Sequence, residues 1–151
     1  MKLLDLGPAH APAMAALHSR GFDQPWDAAS FETFLKLPTY RAFGWGSEQT
    51  LAGFALFNAI PPELELCTLV VDPNLRRQGI ARALLLESFE ALSPFDVCFL
   101  EVAEHNKAAR VFYQSLDFVE TGRRPNYYLR MNGSFQDAVL MRLNDFKSRI
   151  E

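Results

Sequence analysis

Leu69-Val70-Val71-Asp72-Pro73-Asn74-Leu75-Arg76-Arg77-Gln78-Gly79-Ile80-Ala81-Arg82 is the stretch on which the reading of this chain turns. Three consecutive apolar residues mark the end of a buried strand, and Asp72-Pro73-Asn74 stops it. From Gln78 onward, Ile80, Ala83, Leu84, Leu85, Leu86, Phe89 and Leu92 make a helix that is apolar over much of its circumference, ended by Ser93-Pro94. A polar turn with one glycine therefore joins a strand directly to a helix. The first amides of a helix have no partner within it, so such a junction suits phosphate oxygens. Gly79 lets the backbone come close to a ligand because no Cβ intervenes, and the arginines add charge near an anion. The turn has neither the Gly-Lys-Ser/Thr of a Walker loop nor the three glycines of a dinucleotide fold. Taken alone, it reads equally as an ordinary strand-to-helix connection with a solvated basic stretch.

Outward from this junction the chain divides cleanly. Toward the N-terminus, Met1 to Leu6 reads as a strand and Pro8 to Arg20 as a helix. Phe22 to Trp26 is a loop, and a second helix, capped by Asp27 or Ser30, runs through Leu37 to Pro38. Tyr40 to Gly46 and Leu51 to Ala59 are strands joined by Ser47-Glu48-Gln49-Thr50. After Pro61-Pro62, Glu63 to Val71 alternates at first and then becomes continuously apolar, which predicts a strand half exposed at its start and buried at its end. Toward the C-terminus, Val97 to Val102 is a buried strand. Asn106 caps a helix with Ala108, Ala109, Phe112 and Leu116 on one face. Phe118 to Arg123 and Phe135 to Leu143 are strands, with Asn132-Gly133 as a turn between them. The order is β-α-α-β-β-β-α-β-α-β-β. Consecutive strands predict antiparallel pairing, and the central strand-helix-strand unit predicts a parallel, right-handed crossover. The expected class is α/β (α+β), a mixed sheet with helices on both faces.

The 151 residues are expected to form one domain over 1–151. Apolar residues are 49% and charged residues 22%, with 13 Phe to fill a core. A formal charge of −3 argues against nucleic acid as a direct partner and suits a cationic one, such as an amine or basic peptide. Cys67 and Cys98 sit in apolar runs and read as buried free thiols, consistent with a reducing cytoplasm. No signal-peptide core and no membrane-length apolar run is present, so a cytoplasmic location off the membrane is expected. No metal is expected.

A second segment, Phe99 to Phe118, carries candidate chemistry. Glu101 lies between Leu100 and Val102 in an apolar strand. If buried, its carboxyl would titrate higher and serve as a base near neutrality; the alternative is a strand-end glutamate facing solvent. Tyr113 stands seven residues after Asn106, two helical turns along, so phenol and amide can face one cleft. The alternative is a core aromatic. Asn106 is in any case a helix cap, and the lone His105 is given no role.

The Leu69–Arg82 stretch resembles the acetyl-CoA signature R/Q-x-x-G-x-G/A of the GNAT acetyltransferases, preceded by that family's V-D-P. The element order is similar as well. Phe99 to Phe118 is similar to the ribosomal-protein-alanine N-acetyltransferase branch, matching at Leu100, Glu101, Val102, Asn106, Ala109, Tyr113 and Phe118. Pro25-Trp26, Arg123-Arg124, Asn126-Tyr127-Tyr128 and Asp137-Ala138 match it too. The resemblance implies about seven strands, mostly antiparallel, with a splayed parallel pair at the centre. It implies acetyl-CoA as co-substrate, held by Leu69, Val70, Val71, by Arg76, Arg77, Gln78, Gly79, Ile80, Ala81 and Arg82, and by Asn106. It implies Glu101 as proton acceptor and Tyr113 as proton donor; in the mechanism expected from these residues, a backbone N–H of Val70 or Val71 is the nearest donor to the developing oxyanion. The acceptor it implies is a protein N-terminus, that of a ribosomal protein, lined by Trp26, Tyr127 and Tyr128. A small-molecule amine acceptor, or a non-catalytic acyl-CoA-binding module, are the rival readings. Asp117 stands where the branch has glycine, and Asp tolerates the left-handed conformation that position requires.

Overall fold

The computed structural model describes residues 1–47, 49–129 and 132–144. Glu48 of the expected turn, and residues 130–131 and 145–151 of the expected domain, lie outside them. The described residues form one seven-stranded sheet: β1 (Lys2–Leu6), β2 (Tyr40–Gly46), β3 (Leu51–Ile60), β4 (Glu63–Val71), β5 (Val97–Ala103), β6 (Val119–Leu129) and β7 (Phe135–Asn144). Their spatial order is β1-β2-β3-β4-β5-β7-β6. Every neighbouring pair is antiparallel except β4–β5, the parallel pair expected across the central helix.

Helices α1 (Ala11–Ser19) and α2 (Ala28–Leu35) cover one face, and α3 (Ile80–Leu92) and α4 (Lys107–Ser115) the other. The alternation of β3 explains both layers. Phe54 and Leu56 point to α1 and α2, with Met14, Phe31 and Val70, while Ala55 and Phe57 point to α3, with Leu84, Phe89 and Leu100.

Strand β4 departs from regular pairing at one place. Leu56 of β3 lies opposite Thr68 and Phe57 opposite Leu66, so Cys67 is an extra residue, a β-bulge. The bulge changes the parity of the strand. Leu64 and Leu66 before it and Leu69 after it pack on the α3 side, whereas Cys67 and Val70 pack on the α1 side. Pairing with β5 ends at the same point, covering Glu63–Leu66 against Val97–Leu100. The expectation of a fully buried strand end is therefore corrected. Leu69 and Val71 are half-buried, because β5 has diverged from them.

Other boundaries shift for local reasons. A 3-10 turn at Pro8–His10 precedes α1, and α2 stops at Leu35 rather than Leu37. Helix α3 begins at Ile80, not Gln78, because Gly79 has φ 76° and cannot be helical. In α4 the buried residue is Tyr113; Ala108 is exposed, and Ala109 and Phe112 are half-buried. Strand β6 runs past Arg123 to Leu129 despite Pro125. It lies at the end of the sheet and shifts register at Glu120/Gly122 and Arg124/Tyr128, which accommodates a residue with no N–H.

Helix α4 ends in a Schellman motif. The Phe118 N–H donates to Tyr113 O and the Asp117 N–H to Gln114 O. Asp117 takes the left-handed conformation at φ 71°, as expected where relatives of this sequence pattern have glycine. Because a Cβ is strained there, Asp117→Gly is expected to stabilise the fold by about 1 kcal/mol, raising Tm by roughly 2–4 °C. Asp117→Val should lower it. Thermal melts of the two variants against the parent measure both, and a lower Tm for the glycine variant would contradict this account of the turn.

Candidate active site

The divergence of β4 from β5 leaves a cleft at the centre of the sheet. The Asp72 N–H donates to Ala52 O of β3 at 2.8 Å. Antiparallel pairing alternates, so the N–H and C=O of Val70 also face β3, and those of Leu69 and Val71 face the other way, toward β5. Of the two amides named from sequence for an oxyanion, Val71 is available to the cleft, Val70 is not, and Leu69 joins Val71.

Beyond Val71 the chain makes the turn read from sequence. Asp72 caps a 3-10 turn at Pro73–Leu75 by accepting from the Asn74 N–H at 2.9 Å. φ is then positive at Arg77 (64°) and Gly79 (76°) but not at Gln78 between them. This reversal turns successive amides toward one side, as in an anion-binding nest. No side chain caps α3. A Cβ built on Gly79 would meet nothing within 4 Å, so the space before the helix is open. Arg76, Arg77, Gln78 and Arg82 are exposed around it, and Ala81 is half-buried. Ile80 anchors the helix with a buried side chain and offers only its backbone.

Glu101 and Tyr113 stand in different layers. Cys98, Leu100 and Val102 point into the α3 side, so Glu101 projects to the opposite face. It is neither fully buried nor simply solvated: its side chain is 24% exposed, and Oε1 accepts from Arg124 Nη2 at 2.6 Å. Tyr113 is packed in the α3–α4 core, edge-on to Phe118 at 5.6 Å. Burial pushes its phenol well above the ordinary range, with smaller contributions from Cys98 and Tyr128. Tyr128, beside Tyr127, is shifted as well. Burial pushes it up to about 12, helped by the Glu101 charge. Asn106 and Tyr113 do not share a face. Asn106 is exposed, and its Oδ1 accepts from the Ala109 N–H as the cap of α4.

Tyr127 and Tyr128 meet edge to face at 5.1 Å, and the Arg124 guanidinium stands 4.8 Å over the Tyr127 ring. Trp26 lies apart from them, half-buried in an aromatic group with His18, Phe31 and Phe34. Both thiols are poor nucleophiles. Burial, then Glu65, pushes Cys67 up to about 12, and burial pushes Cys98 higher still.

Several residues were invisible to sequence reasoning. His18 is 2% exposed; its Nδ1 accepts from the Trp26 N–H at 3.1 Å and its Nε2 meets Thr68 Oγ1 at 3.0 Å. Arg20 forms a bidentate pair with Asp72 at 3.0 and 2.9 Å. Arg123 bridges Glu104 and Glu120. Only the position of His18 among apolar helix residues hinted at its burial.

A family profile described as acetyltransferase (GNAT) family matches residues 11–118. The N-alpha-acetyltransferase RimI of Mycobacterium tuberculosis is 37% identical over 140 residues, covering 89% of this chain and 86% of that protein. An uncharacterized protein of Mycobacterium leprae is 36% identical over 143 residues, covering 91% of this chain and 39% of that protein, so this chain spans about two fifths of that relative. The crystal structure of the ribosomal-protein-S18-alanine N-acetyltransferase from Escherichia coli superposes with a TM-score of 0.87 at 31% identity, covering 95% of this chain and 92% of that one. Among the described residues no helix is long and apolar enough to cross a membrane.

Burial lowers His18 from 6.5 to about 4. The unfolded chain therefore binds the proton first as pH falls. His18 takes nothing from stability above pH 6.5 and withdraws about 3 kcal/mol as pH drops from 6.5 to about 4. The fall in Tm between pH 7 and pH 4.5 is expected to be smaller in His18→Gln than in the parent. Equal falls would remove His18 from the acid response.

Proposed function

The chain belongs to the GNAT acetyltransferase family, and from that premise we propose that it transfers acetyl from acetyl-CoA to the N-terminal α-amino group of a protein, within a ternary complex. The observation carrying this reading is the open edge of β4 leading through the Asp72–Gly79 turn to the uncapped start of α3. The residues fit the co-substrate. A diphosphate suits the amides of the Arg76–Arg82 turn, where Gly79 takes the left-handed conformation and the space before α3 is open. The amides of its pantetheine arm suit the backbone of Leu69 and Val71. Asn106 contributes a contact from the start of α4.

Bound there, acetyl-CoA supplies an acetyl group activated as a thioester. Glu101 accepts the proton that the acceptor amine must lose, directly or through a water. It first exchanges Arg124, whose side chain is 53% exposed, for the incoming amine, and such an exposed pair breaks at little cost. The Leu69 and Val71 N–H groups donate toward the acetyl oxygen as its charge rises. Tyr113 gives its proton at the departing sulfur. Its phenol is protonated at neutral pH, as an acid requires, and burial holds that proton more tightly still. Trp26, Tyr127 and Tyr128 flank the acceptor. The Escherichia coli relative named above acts on ribosomal protein S18, and the acceptor proposed here is likewise a ribosomal protein. The chain works as one catalytic domain in the cytoplasm.

Tyr113→Phe is expected to lower kcat about 10²–10⁴-fold, with the calorimetric Kd for acetyl-CoA within twofold of the parent. Glu101→Gln should lose most of its rate at neutral pH, and an unaltered pH–rate profile would remove it as the base. A panel of N-terminal peptides and polyamines, assayed with labelled acetyl-CoA, tests the acceptor. Preference for polyamines would overturn the protein assignment. Absence of any heat with acetyl-CoA would overturn the whole reading.

A further inference from the structure

Helix α1 and the chain just after it touch β4 and the residue that follows it at three alternate positions. His18 Nε2 meets Thr68 Oγ1 at 3.0 Å. At Gly21 an added Cβ would lie 2.7 Å from Val70 Cγ2, so the backbone runs directly against that side chain. Arg20 holds Asp72. Thr68, Val70 and Asp72 alternate with Leu69 and Val71, whose backbone faces the cleft. The cofactor strand is thus backed on one side by the end of α1.

His18 has a second engagement. Because its Nδ1 accepts the Trp26 N–H, Nδ1 carries no proton, and Nε2–H donates to Thr68. One imidazole therefore joins the Phe22–Trp26 loop to the bulge of β4. The ring stacks on Phe22 at 4.1 Å and 12°, and on Trp26 at 5.2 Å. Phe31 and Phe54 close its other sides. The Arg20–Asp72 pair is exposed and weak by comparison. We propose that His18 is a positioning residue that sets the acceptor-side loop, Phe22–Trp26, against the cofactor strand at Thr68.

The proposal rests on the reading that Trp26 flanks the acceptor, and its test separates the two. His18→Ala removes both bonds. His18→Asn keeps an acceptor near the Nδ1 position for the Trp26 N–H but is too short for Thr68. Thr68→Val removes the strand-side hydroxyl alone. In His18→Ala, hydrogen exchange of residues 22–27 in the protein without substrate should quicken about tenfold, the size of one net hydrogen bond. The KM for an alanine-starting peptide should rise by a similar factor, with kcat and the Kd for acetyl-CoA within twofold. His18→Asn should recover loop protection and much of the KM. If His18→Ala does not fold, Thr68→Val takes its place, with a KM rise of about threefold expected. Unchanged exchange and KM would overturn the proposal. So would parallel losses in KM, kcat, Kd and Tm, or a failure of His18→Asn to recover anything. Should the parent acetylate no peptide, the acceptor reading fails, while loop exchange alone still decides whether His18 joins loop to strand.

Discussion

A sheet normally consumes the backbone groups of its central strands, and β4 would be no exception without Cys67. The extra residue between Leu66 and Thr68 reverses which side chains face which layer, and parallel pairing with β5 ends at that residue. Two consequences matter for chemistry. The amides and carbonyls of Leu69 and Val71 stay available in the middle of the molecule, where an unpaired backbone would otherwise be expensive. The sheet also ceases to separate its two faces. In the proposed reaction a carboxylate from the α1 side, Glu101, and a phenol from the α3–α4 side, Tyr113, serve one opening.

The charge of the site is arranged along the same strand. Its C-terminal end delivers the chain into a turn with two left-handed residues and an uncapped helix, ringed by arginines, although the protein as a whole is acidic. The field that matters to an anion is set by these few amides rather than by net charge. On the other side of the cleft the carboxylate of Glu101 already carries a guanidinium. In the proposed reaction the amine takes the place of that guanidinium.

Much of this was legible in the residues. The order of elements, the parallel pair and the turn at Arg76–Gly79 all follow from periodicity and from turn chemistry, which are local. The left-handed Asp117 was legible through the resemblance, which has glycine at that position. The bulge was not, because a surplus residue in one strand is defined only against its partner, and nothing in Leu66-Cys67-Thr68 announces it. Long-range polar contacts were hidden likewise. His18 and Thr68 are fifty positions apart, and Glu101 and Arg124 twenty-three. On α4 the face was legible at Ala109, Phe112 and Leu116, which pack against the core, but not at Ala108, which is exposed, because a small alanine fits a helical stripe as readily as the Tyr113 that is buried there.

The outer strand β6 shows how the sheet comes to a stop. An end strand offers unpaired groups to any other chain with a matching register. Here Pro125 removes a donor, two register shifts break the rhythm, and Glu120, Arg123 and Arg124 line it with charge. A second copy would find no continuous ladder to extend, so β6 is a poor seed for edge-to-edge aggregation. The irregularities that let the Arg124–Tyr128 segment bend beside the cleft thus also help to keep the protein from polymerising.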